Sequence, residues 1–299
     1  MKSLYFDKNT KELVFLDRTS LPEEKYRRIS AFRAFFDSLA DTSLCGSDAV
    51  GVAAAYILCA EAYRFEDVKA EGFAYSFEKS IDFLLLQCSL CPSVKASSEM
   101  MRNSCDGFDD VCEMLANIEK KALSVETAAV SYRRRLGERG AKLISDGDGV
   151  LVRGNCGVLG GVRYGASLEA AHKAYAKNKD FGLFIAETYP SFDGKRLAAY
   201  EAKANEIEFN TVSDSDAAVL MAEKKINKVF LDVGVTKDGN YCSEKGSLML
   251  ASSAKCFGVP VYGFVPYLRS AENTAGCDTI KKELFESVVT GGLYEKVKK

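Results

Sequence analysis

From about Asp146 onward, short β-branched or apolar runs alternate with segments of helical spacing. This alternation constrains the fold more than any other feature of the chain. The runs Val150 to Val152, Phe181 to Ile185, Glu208 to Val212, Lys228 to Leu231 and Val259 to Phe264 are predicted strands. Between them, Ser167 to Lys177, Gly194 to Ala204, Asp214 to Lys224 and Gly246 to Phe257 are predicted helices. A βαβα order of this kind is that of a Rossmann-like, doubly wound parallel sheet. Functional sites in such sheets form at the carboxyl ends of the strands. No Gly-x-Gly-x-x-Gly follows a strand, so no dinucleotide site is expected, and no cofactor.

The first half reads differently. Leu4-Tyr-Phe6 and Leu13-Val-Phe-Leu16 flank a polar turn and predict a short β-hairpin. Glu24 to Asp41 carries Tyr26, Ile29, Phe32, Phe35, Phe36 and Leu39 at helical spacing. Ala49 to Tyr63 is an Ala-rich helix with small packing residues, and Ser76 to Leu86 and Ser97 to Arg102 are also predicted helical. Phe108 to Ile144 is expected to hold two longer amphipathic helices, with a break near Leu123-Ser124. The fold class is therefore α/β. A mostly helical amino-terminal domain with linking helices is expected over residues 1–145, and the Rossmann-like domain over 146–299.

Composition narrows the function classes. With 47% hydrophobic and 27% charged residues over 299, the chain can bury a large core. Its 40 basic and 42 acidic residues leave no nucleic-acid footprint, and Tyr132-Arg-Arg-Arg135 is expected to be a solvated helix face. No apolar run is long enough for a membrane span, and the start lacks the apolar stretch of a secretory signal. Ten cysteines are then expected to be reduced thiols in a cytoplasmic protein. Cys88-Ser-Leu-Cys91, with Cys105 and Cys112 beyond, is not a paired Cys-x-x-Cys, and His172 stands far off, so no metal is expected.

Several motifs share an order and spacing. They are Leu16-Asp-Arg-Thr-Ser-Leu-Pro22, Cys45-Gly-Ser-Asp-Ala-Val-Gly51, Val150-Leu-Val-Arg-Gly-Asn-Cys-Gly-Val-Leu159, Ala186-Glu-Thr-Tyr-Pro190, Gly194-Lys-Arg-Leu197, Asp214-Ser215 with Leu220-Met221, and Gly258-Val-Pro-Val-Tyr262. Together they resemble the methylthioribose-1-phosphate isomerase family and its relatives, the alpha, beta and delta subunits of translation initiation factor 2B. The resemblance runs from about Leu13 to Phe264, and its amino-terminal part is more typical of the isomerases. It implies a homodimer and a sugar or sugar-phosphate ligand, while the charge balance and hydropathy above point to no nucleic-acid or membrane partner.

The working positions of that family are substituted here. Its two arginines fall on Cys45 and Leu90, and its Asn-Lys pair falls on Ser243-Glu244, with Lys245 adjacent. Its acid/base cysteine aligns with Gly154, and Cys156 lies two residues on. Its aspartate aligns with Val233, and Asp232 lies one residue before. Aldose–ketose isomerisation needs proton transfer near C1 and C2 and assistance at the ring oxygen. Cys156 and Asp232 are the candidate catalytic pair; alternatively they are a buried loop thiol and a strand-end carboxylate. A one-residue shift turns a strand side chain to the other face, which bears on Asp232.

Gly46, Ser47, Asn155, Glu187, Tyr189, Asp193 and Lys245 are the candidate substrate-binding residues implied by the resemblance. Asp214 opens a predicted helix and is expected to be its N-cap. The glycine-rich segment Gly157 to Gly165 either is a flexible loop or presents backbone N–H groups to an anion. Three functions are open: a divergent aldose–ketose isomerase, a non-catalytic interaction protein like the initiation-factor subunits, or a small-molecule sensor.

Overall fold

The computed structural model describes residues 2–89, 91–266, 270–271, 276–292 and 294–296. Leu90 lies outside them. The chain forms two compact units, Met1–Val130 and Ser131–Lys299.

The first unit opens with three antiparallel strands, β1 (Leu4–Asp7), β2 (Glu12–Leu16) and β3 (Tyr26–Ile29), with β2 central. The helical spacing of Tyr26 and Ile29 was misleading. Arg27 pairs with Asp17 at 2.7 Å and Arg28 with Asp7 at 2.8 Å, and these side-chain pairs favour a third strand against β2. Helices α1 (Phe32–Ala40), α2 (Ser47–Ala62), α3 (Ala70–Gln87), α4 (Pro92–Met101) and α5 (Val111–Gly140) follow.

Helix α2 is buried on every side, and its small residues let α4 approach closely. A Cβ on Gly51 would stand 3.1 Å from both the Ser93 Cβ and the Ser97 Oγ. No break occurs at Leu123-Ser124. Ser124 and Thr127 return their hydroxyls to the Lys121 and Leu123 carbonyls, at 2.6 and 2.8 Å, so the polar side chains ride within one continuous helix.

In the second unit, β4 (Gly149–Arg153), α6 (Ser167–Tyr175), β5 (Gly182–Ala186), α7 (Ala199–Ala204), β6 (Asn210–Val212), α8 (Asp216–Ala222) and β7 (Lys228–Asp232) alternate. Next come a hairpin of β8 (Gly234–Thr236) and β9 (Tyr241–Glu244), helix α9 (Ser247–Cys256) and β10 (Val261–Val265). The last strands are β11 (Ser270–Ala271), β12 (Cys277–Ile280), β13 (Ser287–Thr290) and β14 (Tyr294–Lys296). The main sheet has the order β14-β13-β10-β7-β4-β5-β6 and is parallel except for β14.

From β4 the chain winds outward one way through β5 and β6, then returns to β7 and winds the other way through β10 and β13. The topological switch point therefore lies between the carboxyl ends of β4 and β7. Both faces of the sheet are covered. Val150, Val152, Ile185, Phe230 and Phe264 pack on one side, and Leu151, Val229, Leu231 and Val233 on the other.

The smaller sheet, β11-β8-β9-β12, was not foreseen. Its β8–β9 turn is built on Asp238, which accepts the Thr236 hydroxyl and, at 2.8 Å, the Asn240 amide, with Gly239 at φ +79°. Among the described residues, no helix is long and apolar enough to cross a membrane.

Candidate functional site

Strand β4 ends on Arg153, whose side chain is 1% exposed. Its guanidinium sits 3.3 Å from Asp214 and 3.8 Å from Glu244, and donates to the Lys245 carbonyl at 2.5 Å and the Ser247 hydroxyl at 3.4 Å. Its Nε has no hydrogen-bond partner. A buried cation is tolerated only when its charge is matched, and here two carboxylates match it.

Asp214 also accepts the Thr188 and Tyr189 amides, at 3.1 and 2.8 Å. It does not cap α8, contrary to expectation. The Asp216 amide at the start of α8 is met by the Ser213 hydroxyl at 3.0 Å, because the Asp214 carboxylate is already committed to the loop after β5 and to Arg153.

The loop after β4 and the end of β7 bring Cys156 and Asp232 to one side of the sheet. Along β7, Val229 and Leu231 face one core and Phe230 the other, so Asp232 falls on the Phe230 side, where Cys156 is packed. Val233 points the opposite way. The Asp232 carboxylate accepts the amide of Ser167, the first residue of α6, at 3.0 Å. Burial pushes its carboxyl up to about 7, against the pull of the Ser167 hydroxyl, the Arg133 charge and the Ser167 amide. Cys156 has no exposed surface, and burial, reinforced by the Asp232 charge, holds its thiol well above the ordinary range. Both polar atoms of the Asn155 side chain are buried without a hydrogen-bond partner. Orphaned polar atoms of this kind are uncommon in folded proteins and need an explanation.

The glycine-rich segment is held from within. Glu201, fully buried on α7, accepts the amides of Val158 at 2.6 Å and Leu159 at 2.9 Å. A Cβ on Gly157 would stand 2.0 Å from that carboxylate, so only glycine admits it. On the other side, buried Arg133 donates to the Gly160 carbonyl at 2.9 Å. The run Tyr132 to Arg135 is thus solvated only in part, with Arg134 and Arg135 exposed, Tyr132 half-buried and Arg133 buried. Tyr132 bonds the Val265 carbonyl at 3.0 Å and Arg135 the Gly291 carbonyl at 2.8 Å. Neither Glu201 nor Arg133 was singled out from sequence. An acid inside Leu197-Ala-Ala-Tyr-Glu-Ala202 was the available signal for the first.

Of the remaining candidates, Glu187, Tyr189, Asp193 and Lys245 lie in the second unit and Gly46 and Ser47 in the first. Glu187 follows β5, and its amide bonds the Val212 carbonyl at 2.8 Å. Tyr189 is 66% exposed and meets the Phe192 ring edge-on at 5.8 Å. Asp193 is buried beside Gly194, where a Cβ would stand 1.8 Å from the Ala186 carbonyl oxygen. Lys245 is exposed, its backbone fixed by Arg153. Gly46, at φ +102°, and Ser47 open α2 in the first unit.

Glu244, at the end of β9, was noted only as the position of a lost lysine. Its carboxylate lies 2.5 Å from where a Cβ on Gly154 would stand. All ten cysteines are free, and no group of metal-ligating side chains occurs among the described residues.

The sequence pattern of the Initiation factor 2 subunit family matches residues 43–287. A 5-deoxyribose 1-phosphate isomerase of Clostridium botulinum (strain Langeland) is 29% identical over 271 residues, covering 88% of this chain and 77% of its own. Two solved structures, each 19% identical, share the fold. The delta subunit of translation initiation factor eIF-2B from A. fulgidus has a TM-score of 0.87 and covers 99% of this chain and 96% of its own. The 5-methylthioribose 1-phosphate isomerase of Pyrococcus horikoshii OT3 has a TM-score of 0.85 and covers 99% and 92%.

Proposed function

The chain belongs to the Initiation factor 2 subunit family, and from that premise we propose that it is an aldose–ketose isomerase acting on a 1-phosphorylated pentose. The observation that carries this reading is that the buried Asp232 carboxyl and Cys156 face each other on one side of the parallel sheet at its switch point, with the unpartnered Asn155 amide next to Cys156 in the chain. An acid with a pKa near the working pH suits proton transfer to a sugar ring oxygen, and a carboxyl near 7 meets that condition. The orphaned amide atoms of Asn155 suit the recognition of sugar hydroxyls.

In this reading Asp232 is the acid. Cys156 is a neutral thiol packed behind it, and Asn155 contacts the sugar. Exposed Lys245 carries the cation for the phosphate at the rim, with Glu187, Tyr189 and Asp193 as the further substrate contacts within the second unit. The names of the relatives, isomerases of 5-deoxyribose 1-phosphate and 5-methylthioribose 1-phosphate, support this substrate class. A homodimer in the cytoplasm completes the proposal.

A second reading, a non-catalytic interaction protein or sensor, is favoured by one observation. The Arg153 charge is already matched by Asp214 and Glu244, and the Val158 and Leu159 amides by Glu201. These are groups a phosphate would otherwise engage.

The test is incubation of the purified protein with each of the two aldose 1-phosphates, followed by proton and phosphorus NMR. Conversion to the ketose 1-phosphate is expected for at least one. Absence of ketose from both at high protein concentration would leave the non-catalytic reading.

A further inference from the structure

We infer that Glu244 is the catalytic base of this site, the group that removes the proton from C2 of the sugar and returns it at C1. This rests on the isomerase reading. That reading supplies an acid but no base: Cys156 is a thiol with no exposed surface, and the Asp232 carboxyl, raised by burial to about 7, is assigned the acid role.

Three observations place Glu244 in the role. The first is location. An ideal Cβ on Gly154 would stand 2.5 Å from one Glu244 carboxylate oxygen and 3.0 Å from the other. The carboxylate therefore occupies the space at the end of β4 that a side chain at position 154 would fill. Gly154 leaves it open, and its φ of +80° is a conformation that glycine adopts without penalty.

The second is orientation. The Arg153 guanidinium stands 3.8 Å from Glu244 and is itself held by Asp214, the Lys245 carbonyl and the Ser247 hydroxyl. The neighbouring Ser243 donates its hydroxyl to the Asp232 carbonyl at 2.8 Å, which ties the end of β9 to the end of β7. Both ends of the short Glu244 side chain are thus anchored on a rigid element, as a proton-transfer group needs.

The third is access. The Glu244 side chain is 47% exposed, so a ligand at the switch point can reach it, whereas Cys156 is sealed. The Glu244 charge is also close enough to raise both Asp232 and Cys156. Two carboxyl groups in contrasting surroundings, one buried with its pKa raised to about 7 and one exposed beside a guanidinium, form the division between acid and base that such chemistry uses.

The step balances without any co-reactant. Asp232 gives its proton to the ring oxygen as the C1–oxygen bond breaks, and that electron pair stays on the oxygen. Glu244 takes the proton from C2, and the C2–H pair becomes the C1–C2 double bond of an enol phosphate. Glu244 then gives its proton to C1 while the C2 hydroxyl gives its proton to Asp232, which leaves the C2 ketone and restores both groups.

The test compares wild type, E244Q and E244D on 5-deoxyribose 1-phosphate and 5-methylthioribose 1-phosphate in D2O, with thermal melting as a control for folding. In E244Q, kcat is expected to fall about 10²–10⁴-fold with KM changed by less than about threefold, since proton transfer is lost and binding is kept. E244D, which keeps a carboxylate one methylene short, is expected to retain part of the rate, with solvent deuterium at C1 of its ketose as in wild type. Turnover by wild type together with E244Q activity within about threefold of it would overturn this assignment and leave the isomerase reading standing. No turnover by wild type would overturn both.

Discussion

Glu201 accepts the backbone amide of Val158 at 2.6 Å across the interior of the second unit, through a side chain with no exposed surface. Its other oxygen takes the Leu159 amide. The protein thus fills its own loop amides with a carboxylate, and the shape of the loop after β4 depends on that contact.

Replacing Glu201 with alanine leaves two buried N–H groups without acceptors. Each costs about 1–3 kcal/mol, so a loss of about 2–6 kcal/mol is expected by urea unfolding. Gln at 201 restores an acceptor for one amide only and is expected to fall between the two. Alanine within 0.5 kcal/mol of wild type would show that the loop holds its shape without Glu201.

Arg153→Met is expected to cost about 3–5 kcal/mol, because it leaves Asp214 partly buried without its cation. The double variant with Asp214→Asn is expected to cost less than the sum of the single ones. Additive losses in that cycle would mean the pair is not coupled.

Gly154→Ala is expected to lower stability by about 1–2 kcal/mol through its left-handed φ alone. The added methyl also collides with Glu244, so turnover is expected to fall further than stability explains. Thermal melting and kcat on the same preparation separate the two effects.

The Asp232 carboxyl is raised from 3.8 to about 7 by burial. A folded-state pKa above the unfolded one contributes stability that is full below about pH 4 and is lost as pH rises to about 7. Over that window wild type is expected to lose up to about 1.4 kcal/mol per pH unit relative to Asp232→Asn. Urea midpoints of the two proteins that run parallel from pH 4 to 7 would contradict the shift.

Cysteine labelling gives an independent check on the buried centre. Cys112 and Cys256 are exposed and are expected to react with iodoacetamide in the native protein within minutes. Cys59 and Cys156 are buried, with thiols raised by burial, and are expected to stay unmodified until unfolding.

How far the sequence disclosed this arrangement differs from element to element. The strands β4, β5, β6, β7 and β10 were legible because each is a short β-branched or apolar run between helices of clear spacing, whereas the switch point rests on the spatial order of the strands in the sheet. Strand β3 was not, since Tyr26 and Ile29 lie three apart and only pairing with β2 reveals their state. The small sheet was missed although Asp238-Gly239 is a hairpin signal, because its strands are short.

At the site, Cys156 and Asp232 were named from sequence, but on which face Asp232 stands depends on where β7 ends. Arg153 closes an apolar run and was readable as an oddity within it. Glu244 was not, because it reaches Gly154 only through the return of β9, a contact between residues ninety apart in the chain.

The most direct measurement is kcat/KM for an aldose 1-phosphate between pH 5 and 9. Asp232, faced by Cys156, Glu244, Arg133 and the Ser167 amide, acts in its acid form. The expected profile falls tenfold per unit above about pH 7 in wild type, and Asp232→Asn is expected to lose that limb together with most of the rate. No ketose at any pH, or a rate that stays flat to pH 9, would contradict the assignment of Asp232 as the acid of an isomerase.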